Sequence, residues 1–276
     1  MYMHTTPSKK VALITGASSG IGCETARMLA KRGFRVFGTA RDPRKIAAIP
    51  GMHVLPLDVT DQSSVTNGVQ SVLQDAGAVH ALVNAAGYMV SGGLEETSIE
   101  EAQQQFDTNF FGLMRVIQAV LPTMRQQGYG RIVNISSVLG FLPAPYMGIY
   151  AATKHAVEGY TETLDHEVRQ FGIRALLVEP GFTKTNLGKN SRNTSANLEA
   201  YAAQKNRVAE GVQRNIAQGD DAGIVAEAVY EALTAKAPSL RYPTGKGVTL
   251  SRLRRFVPSK MFDKSFRKQF HLDESL

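Results

Sequence analysis

A tyrosine and a lysine one helical turn apart, with a serine upstream, are the residues of this sequence best suited to acid–base chemistry. Tyr150 and Lys154 are four residues apart, so they share one face if the segment is helical. An ammonium beside a phenol favours phenolate, and we expect Lys154 to lower the pKa of Tyr150 towards neutrality. Ser137 follows an apolar, strand-like run and could hydrogen-bond a substrate oxygen. Together the three side chains suit proton transfer to or from an alcohol or a carbonyl.

The Tyr-x-x-x-Lys spacing alone does not identify a site, because the chain contains it three times. Tyr201/Lys205 lies in a polar stretch with no strand before it. Tyr242/Lys246 encloses a proline and a glycine, which predict a turn rather than a helix. For both of these pairs we favour the simpler interpretation of a surface tyrosine and a solvated lysine. Only the pair that begins at Tyr150 follows a strand-like run ending in two serines.

A glycine-rich turn joins the first predicted strand, Lys10–Thr15, to the first predicted helix, Cys23–Arg32. Glycines at such a turn let backbone N–H groups approach a pyrophosphate at the helix N-terminus, where the helix macrodipole favours negative charge. An ordinary tight turn is the alternative, but the flanking strand and helix favour a dinucleotide site. The candidate cofactor contacts are Gly16, Ser18, Ser19, Gly20, Ile21 and Gly22.

The end of the second predicted strand, Phe34–Ala40, bears on the choice of dinucleotide. An NAD site usually has an acidic residue near this strand end, where it binds the ribose 2′-hydroxyl. Here an acid is missing and Arg41 is present, which favours a 2′-phosphate and therefore NADP(H) over NAD(H). The alternative is that Arg41 is a solvated loop residue whose charge Asp42 partly cancels.

Strands and helices alternate from residue 10 to residue 178, which predicts a parallel, doubly wound α/β sheet. The seven predicted strands are Lys10–Thr15, Phe34–Ala40, His53–Leu57, Ala81–Val83, Ile132–Ser137, Arg174–Val178 and Leu240–Pro243. A long helical pattern, Ile99–Leu121, contains Asn109, which is either a hydrogen-bonded core amide or part of the site.

We therefore expect one Rossmann domain over residues 9–247, with a mostly parallel seven-stranded sheet and helices on both faces. Residues 1–8 form a tail. The polar stretch 183–221 predicts a mobile lid with one or two helices. Residues 248–276 form a basic, amphipathic extension. We favour a helix that packs on the domain or on a partner subunit over a membrane-surface element.

Composition excludes several classes of protein. The chain of 276 residues has one cysteine, Cys23, which excludes an internal disulfide and is compatible with a reducing compartment. It begins without an apolar secretory segment and has no apolar run long enough to cross a membrane. The net charge of +7 is mild. We expect a cytoplasmic protein with no nucleic-acid partner and no metal site.

Taken together, these features resemble the short-chain dehydrogenase/reductase family over about residues 9–242. The matching pieces are Thr15-Gly16-x-x-x-Gly20-Ile21-Gly22, Asp58-Val59, Asn84-Ala85-Ala86-Gly87, Asn109, Ser137, Tyr150-x-x-x-Lys154 and Pro180-Gly181. In the family the active serine lies about thirteen residues before the tyrosine, which selects Ser137 over Ser136. More narrowly, the stretch from Gly38 to Asp42 and the C-terminal region resemble the branch that contains 17β-hydroxysteroid and retinol dehydrogenases.

The resemblance implies a role for each matching residue. Tyr150 is the general acid in reduction and the general base in oxidation, and Lys154 lowers its pKa and binds the nicotinamide ribose. Ser137 holds the substrate oxygen, and Asn109 anchors a water in a proton relay. The other cofactor contacts implied are Asp58 and Val59 at the adenine, Asn84, Ala85 and Gly87 on the ribose side, and Pro180, Gly181, Thr183 and Thr185 near the carboxamide.

The apolar loop between the serine and the tyrosine motivates the substrate class. It should wall the pocket, with Leu139, Phe141 and Met147 against a small lipophilic carbonyl or alcohol. The family also implies a homodimer or homotetramer. A sensor or scaffold that binds NADP(H) without chemistry is the rival function, and such proteins typically lose the tyrosine or the lysine. A sugar epimerase or dehydratase of the extended type is a second rival, for which the chain is short.

Overall fold

Short apolar runs, each followed by a turn and a helix, pair into one parallel sheet at the centre of the chain. The computed structural model describes residues 9–185, 191–245, 248–249, 257–270 and 272, so the predicted tail lies outside the described residues. The strands are β1 Val11–Thr15, β2 Arg35–Ala40, β3 Met52–Pro56, β4 Ala81–Asn84, β5 Gly130–Ile135, β6 Ile173–Glu179 and β7 Arg241–Pro243. Their spatial order is β3-β2-β1-β4-β5-β6-β7, and every neighbouring pair is parallel. This confirms the predicted doubly wound α/β class.

Parallel strands need crossover connections, and helices supply them on both faces of the sheet. The described helices are α1 Gly20–Lys31, α2 Gln62–Ala76, α3 Ile99–Phe106, α4 Gly112–Gln127, α5 Gly148–Val168, α6 Glu199–Ala217, α7 Ala222–Thr234 and α8 Ser259–Gln269. Apolar residues of α2, α4 and α5 pack on one face of the sheet, and those of α1 and α7 pack on the other. No helix among the described residues is both long enough and apolar enough to cross a membrane.

The long helix predicted over Ile99–Leu121 is not continuous. It begins at Ile99 after a capping box of Ser98 and Glu101, and it is interrupted at Asp107–Phe111 by a π-helical turn before α4 continues. Such an insertion re-aims the side chains within it and is frequent at functional sites. Here the turn contains Asn109. Hydrophobic periodicity alone could not show that the helix is interrupted at this residue.

The predicted lid contains one long described helix, α6, and its residues 186–190 lie outside the described part. A buried carboxylate, Glu96, ties this segment to the domain. It accepts hydrogen bonds from the backbone N–H of Leu198 at 2.8 Å and from Lys205 Nζ at 2.6 Å. Tyr201 donates to Glu95 at 2.6 Å. The second Tyr-x-x-x-Lys pair is therefore a structural clasp rather than an acid–base pair.

Helix α5, which carries the candidate tyrosine and lysine, is anchored at its far end by one buried carboxylate. Asp165 accepts hydrogen bonds from Arg174 Nε at 2.7 Å, Arg169 Nε at 2.9 Å and the backbone N–H of Ala175 at 3.0 Å. Burial by itself raises the pKa of Asp165, but these three donors outweigh it and lower the pKa. The carboxylate therefore locks α5 to β6 and fixes the position of the helix over the sheet.

Replacing Asp165 should destabilise the fold because it leaves two arginines without their buried partner. We expect D165A to lower the free energy of unfolding by about 3 kcal/mol in urea titrations. The control is E210A, which removes a surface carboxylate 3.7 Å from Arg214 and should change stability by less than about 0.5 kcal/mol. Equal stabilities of D165A and E210A would contradict this account.

Candidate active site

One cavity of ≈ 1080 Å³ opens at the carboxyl edge of the sheet, where the glycine turn, the candidate tyrosine and the C-terminal helix meet. Its first part runs along the glycine turn and the ends of β2, β3 and β4. Its centre holds Ser137, Tyr150 and Lys154. Its far part is apolar, lined by Leu142, Met147, Val212, Ile216, Val257, Met261, Phe262, Phe266 and Phe270. A polar end, a reactive centre and an apolar end therefore form one continuous site.

Ser137, Tyr150 and Lys154 meet as their spacing predicts. Ser137 leaves β5 and caps a 3₁₀ turn, where its Oγ accepts from the backbone N–H of Leu139 at 3.1 Å. The Ser137 side chain lies close enough to the Tyr150 hydroxyl to lower its pKa. Lys154 Nζ donates to the carbonyl oxygen of Ile135 at 2.7 Å and lies 5.6 Å from the centroid of the Tyr150 ring. Phenol, hydroxyl and ammonium thus line the same part of the cavity.

The direction of the tyrosine pKa differs from the sequence expectation. Burial raises the pKa of Tyr150 to about 12, and the neighbouring Ser137 side chain offsets only part of this. Burial also lowers the pKa of Lys154 to about 8, against the attraction of Glu158. The pKa of Tyr150 therefore shifts in the direction opposite to the expected one, because removal from water is the largest influence on it. At neutral pH the phenol carries its proton and is ready to donate it.

Asn109 lies beside the cavity without lining it, and its whole amide is engaged. Its Oδ1 accepts from the backbone N–H of Tyr88 at 3.0 Å, and its Nδ2 donates to the Tyr88 carbonyl at 2.9 Å and to Thr153 Oγ1 at 3.3 Å. The residue joins the π-helical turn, the loop after β4 and helix α5. Of the two alternatives, the structure supports the satisfied core amide, and the water relay stays a prediction.

The glycine turn fits a dinucleotide. Gly16 has φ +68°, and a Cβ there would lie 2.8 Å from the Ala86 backbone. A Cβ on Gly22 would lie 2.3 Å from the Gly16 carbonyl oxygen. Only glycine allows this close approach of backbone to backbone. Helix α1 begins at Gly20 rather than Cys23, so the N–H groups of its first turn face the cavity end where a pyrophosphate would bind.

Two cations border the cavity near the end of β2. Arg41 and Lys45 both line it. Asp42 does not: Arg44 Nε donates to its Oδ1 at 2.9 Å, and Arg44 Nη2 donates to its Oδ2 at 3.2 Å. The negative charge of Asp42 is thus paired with the positive charge of Arg44. Positive charge prevails where a ribose 2′-phosphate would lie.

Most of the predicted site residues line the cavity, and three do not. Those that do are Gly16, Ser18, Ser19, Gly20, Ile21, Gly22, Arg41, Asp58, Val59, Ala85, Gly87, Ser137, Leu139, Met147, Tyr150, Lys154, Pro180, Gly181, Thr183 and Thr185. Besides Asn109, the exceptions are Asn84 and Phe141. The Asn84 side chain donates to Asn134 Oδ1 at 2.9 Å inside the sheet, because the two residues are paired across β4 and β5. The 3₁₀ turn puts Leu139 and Leu142 on the cavity wall instead of Phe141.

Sequence reasoning missed several residues of the site. Thr15 Oγ1 accepts the N–H groups of Ala85 and Ala86 at 3.2 and 3.3 Å, and so shapes the loop against which the glycine turn packs. Lys45 was also missed, although a second cation shortly after Arg41 could have indicated a residue near the 2′-phosphate. The aromatic wall from α8 is a third omission, since the periodicity of its phenylalanines predicted a packed helix but not the surface it covers.

Comparison with known proteins gives this geometry a context. The family model described as short chain dehydrogenase matches residues 10–196. An uncharacterized oxidoreductase of Bacillus subtilis, YusZ, is 36% identical over 95% of this chain and 99% of its own length. A 3-ketodihydrosphingosine reductase of Bacteroides thetaiotaomicron is 36% identical over 94% of this chain and 97% of its own length.

Solved structures agree with the fold. A short-chain dehydrogenase from Streptomyces avermitilis superposes with a TM-score of 0.81, at 34% identity, over 98% of this chain and 100% of its own. A Burkholderia phymatum short chain dehydrogenase/reductase in complex with NAD gives 0.79, at 29% identity, over 90% and 93%. ElxO with NADP bound gives 0.73, at 27% identity, over 87% and 99%. These neighbours bind NAD in one case and NADP in another.

The clamp formed by Asn109 gives a testable expectation. N109A removes hydrogen bonds from both main-chain groups of Tyr88, so we expect it to cost about 2 kcal/mol of unfolding free energy. The control is Q62A, because Gln62 makes a single exposed side-chain hydrogen bond, 3.5 Å long, to Thr66. Thermal unfolding of both variants checks this. An N109A melting temperature equal to that of Q62A would show that the clamp carries no stability.

Proposed function

The chain belongs to the short-chain dehydrogenase/reductase family of oxidoreductases, and from this premise we propose that it is an NADP(H)-dependent enzyme interconverting a ketone or aldehyde and an alcohol on a lipophilic substrate. One observation carries the proposal. Tyr150, with Ser137 beside it, lines a continuous cavity between a glycine turn suited to a dinucleotide and an apolar wall. Retention of Ser137, Tyr150 and Lys154 together argues against a non-catalytic sensor or scaffold.

The residues of the site divide the work of carbonyl reduction. Ser137 donates a hydrogen bond to the substrate oxygen and orients it. Tyr150 delivers its proton to that oxygen as negative charge develops there. Lys154, as an ammonium close to the Tyr150 ring, stabilises the phenolate that remains. The nicotinamide, when bound, supplies or accepts the hydride.

The protonation state of the tyrosine suits its role in carbonyl reduction. A phenol with a pKa of about 12 is almost entirely protonated at neutral pH, which suits a proton donor. We therefore propose that Tyr150 is the proton donor when the enzyme reduces a carbonyl group.

The cofactor preference rests on charge. Arg41 and Lys45 line the cavity beyond β2, while Asp42 is paired with Arg44. A 2′-phosphate would meet two cations there, whereas a bare 2′-hydroxyl would find no free carboxylate at this strand end. This supports NADP(H) over NAD(H).

The substrate class rests on the far wall of the cavity. Helix α8 presents Phe262, Phe266 and Phe270 in a ladder, with successive ring centroids 5.8 and 4.6 Å apart. Val212 and Ile216 of α6 complete the wall. A wall of this kind suits an alkyl chain or an apolar ring system. A sugar hydroxyl against it would lose its hydrogen bonds to water without gaining a new partner. The relative named as a 3-ketodihydrosphingosine reductase supports a keto substrate.

The narrower likeness to hydroxysteroid and retinol dehydrogenases stays a prediction, as does a cytoplasmic location.

A homodimer or homotetramer is also part of the proposal. Two large apolar side chains near the π-helical turn are exposed, Ile99 at 69% and Phe111 at 46%. They border a shallow apolar hollow with Ala102 and Phe106. Covering such a patch by a second copy would bury it from water.

A substrate panel tests the function as a whole. Purified protein would be supplied with NADPH and a series of aliphatic ketones and aldehydes, steroids and sugars, with cofactor oxidation followed at the reduced-nicotinamide absorbance band. We expect turnover that rises with the apolar surface of the carbonyl compound. Tight NADPH binding with no turnover on any carbonyl would instead support the sensor or scaffold.

Arg41 is expected to discriminate between the two dinucleotides. R41A should weaken NADPH binding about tenfold, because a charge-assisted hydrogen bond is lost, and should leave NADH binding nearly unchanged. Fluorescence titration measures both dissociation constants. The control is R125A, which removes an exposed arginine near the end of α4 that does not line the cavity. Equal weakening of both cofactors in R41A would contradict the phosphate role.

The rate of carbonyl reduction should depend on pH through Lys154. Its depressed pKa of about 8 means that the ammonium is present below pH 8 and is lost as the pH rises through that value. Tyr150 keeps its proton throughout this range. We therefore expect kcat/KM to be level below pH 8 and to fall about tenfold per pH unit above it. K154R, whose guanidinium keeps its proton, should shift this decline to higher pH. A decline at the same pH in both proteins would assign it to another group.

A further inference from the structure

A buried group of charges lies directly behind Lys154, on the side away from the cavity. Glu158 follows Lys154 by one turn of α5, and its side chain is only 10% exposed. Glu179, at the end of β6, is 2% exposed. Arg241 of β7 lies between them, with Nε 3.2 Å from Glu158 Oε2 and 3.2 Å from Glu179 Oε1. Two buried acids between helix and sheet therefore share one guanidinium, which is 35% exposed.

The cluster touches the cavity wall through a serine. Ser136 lines the cavity, and its hydroxyl faces Glu158 across Gly140. A Cβ built on Gly140 would lie 2.8 Å from Ser136 Oγ and 3.1 Å from Glu158 Oε1. A glycine at this position leaves room for the carboxyl group to reach the wall. The absence of a side chain at residue 140 thus allows the Glu158 carboxyl group to lie near Ser136.

Lys154 needs such a neighbour. The hydrogen-bond acceptor of its ammonium is the carbonyl oxygen of Ile135, which carries no charge. A buried ammonium whose acceptors are neutral tends to lose its proton. The Glu158 carboxylate is the group whose charge opposes this loss. Positions four apart on a helix share a face, so both side chains point into the same layer.

We propose that Glu158 is a positioning residue that keeps Lys154 in its ammonium form, and that Glu179 and Arg241 hold the Glu158 side chain in place for this purpose. The proposal deepens the proposed function and rests on it where turnover is measured. In chemical terms, Glu158 raises the proton affinity of Lys154 without touching substrate or cofactor.

The charged groups around this pair come from three elements. Tyr150 and Glu162 lie on α5 with it, Glu179 is contributed by β6 and Arg241 by β7. Burial raises the pKa of Glu158, and Ser136, Arg241 and Glu179 offset only part of this rise. Arg241 also donates to Glu162 at 2.8 Å, and Glu162 is half exposed. Glu162 therefore shares the same arginine but stands a further turn away from Lys154.

Two glutamine variants separate the proposal from a purely structural role. E158Q should move the alkaline decline of kcat/KM to lower pH by about one unit, because the lysine loses its opposite charge. E162Q is the matched control: it removes a carboxylate from the same arginine and should leave the decline where it is. E158D keeps the charge but withdraws it by one methylene, and should give a decline that lies between those of wild type and E158Q.

A direct titration of Lys154 makes the test independent of turnover. The Cε resonance of Lys154 in lysine-labelled protein, assigned by its absence in K154R, would be followed by NMR against pH in wild type, E158Q and E162Q. A lower Lys154 pKa in E158Q alone supports the proposal. An unchanged Lys154 pKa in E158Q overturns it, even if the enzyme is active. If the wild type turns over no carbonyl, the proposed function fails while this titration still decides the role of Glu158.

Folding of each variant is checked by circular dichroism before titration. Should E158Q fail to fold, E158D answers the same question, because a carboxylate withdrawn by one methylene should lower the Lys154 pKa by a smaller amount in the same direction. No change of the Lys154 pKa in E158D would then overturn the proposal.

Discussion

Removal of the Tyr150 phenol from water, beside the hydroxyl of Ser137, is the interaction on which the rest of the site depends. Burial keeps the proton on the phenol, and the neighbouring Ser137 side chain only partly offsets this effect of burial on the pKa. The arrangement needs the end of β5 and the start of α5 to meet at the carboxyl edge of the sheet. A doubly wound sheet provides this, because parallel strands collect their following loops along one edge.

Holding α5 in place is therefore the main structural task, and buried polar contacts perform it along the length of the helix. Thr153 meets Asn109 near the site, Glu158 meets Arg241 in the middle, and Asp165 meets Arg174 at the far end. Each contact links α5 to a different element: the π-helical turn, β7 and β6. Removing one partner of such a contact is costly because the other partner is left buried and unpaired, so each contact also fixes the orientation of the helix. The helix with the proton donor is thus fixed in register over the strands.

Much of this could be predicted from the sequence, and the limits have physical causes. The parallel, doubly wound sheet follows from the alternation of strands and helices, and the glycine turn, Ser137, Tyr150 and Lys154 follow from residue types and spacing. Three features did not follow. The sign of the Tyr150 pKa shift depends on burial, which only three dimensions reveal. The Asn84 side chain does not line the cavity, because it donates a hydrogen bond to Asn134, its neighbour across the strands. The π-helical turn interrupts a continuous helical pattern with no glycine or proline inside it, and Gly112, directly after it, lies within the same helical pattern. Spacing thus identifies which groups meet, while environment decides what they do.

The central claim is that the residue 150 hydroxyl delivers the proton during carbonyl reduction. The most direct measurement compares wild type and Y150F in single-turnover experiments, with saturating NADPH and the best carbonyl substrate of the panel. The variant removes one oxygen atom from a buried ring and leaves the cofactor end of the cavity intact. The account predicts unchanged NADPH affinity and a loss of reduction of at least about a hundredfold. Reduction by Y150F at a rate close to wild type would contradict it.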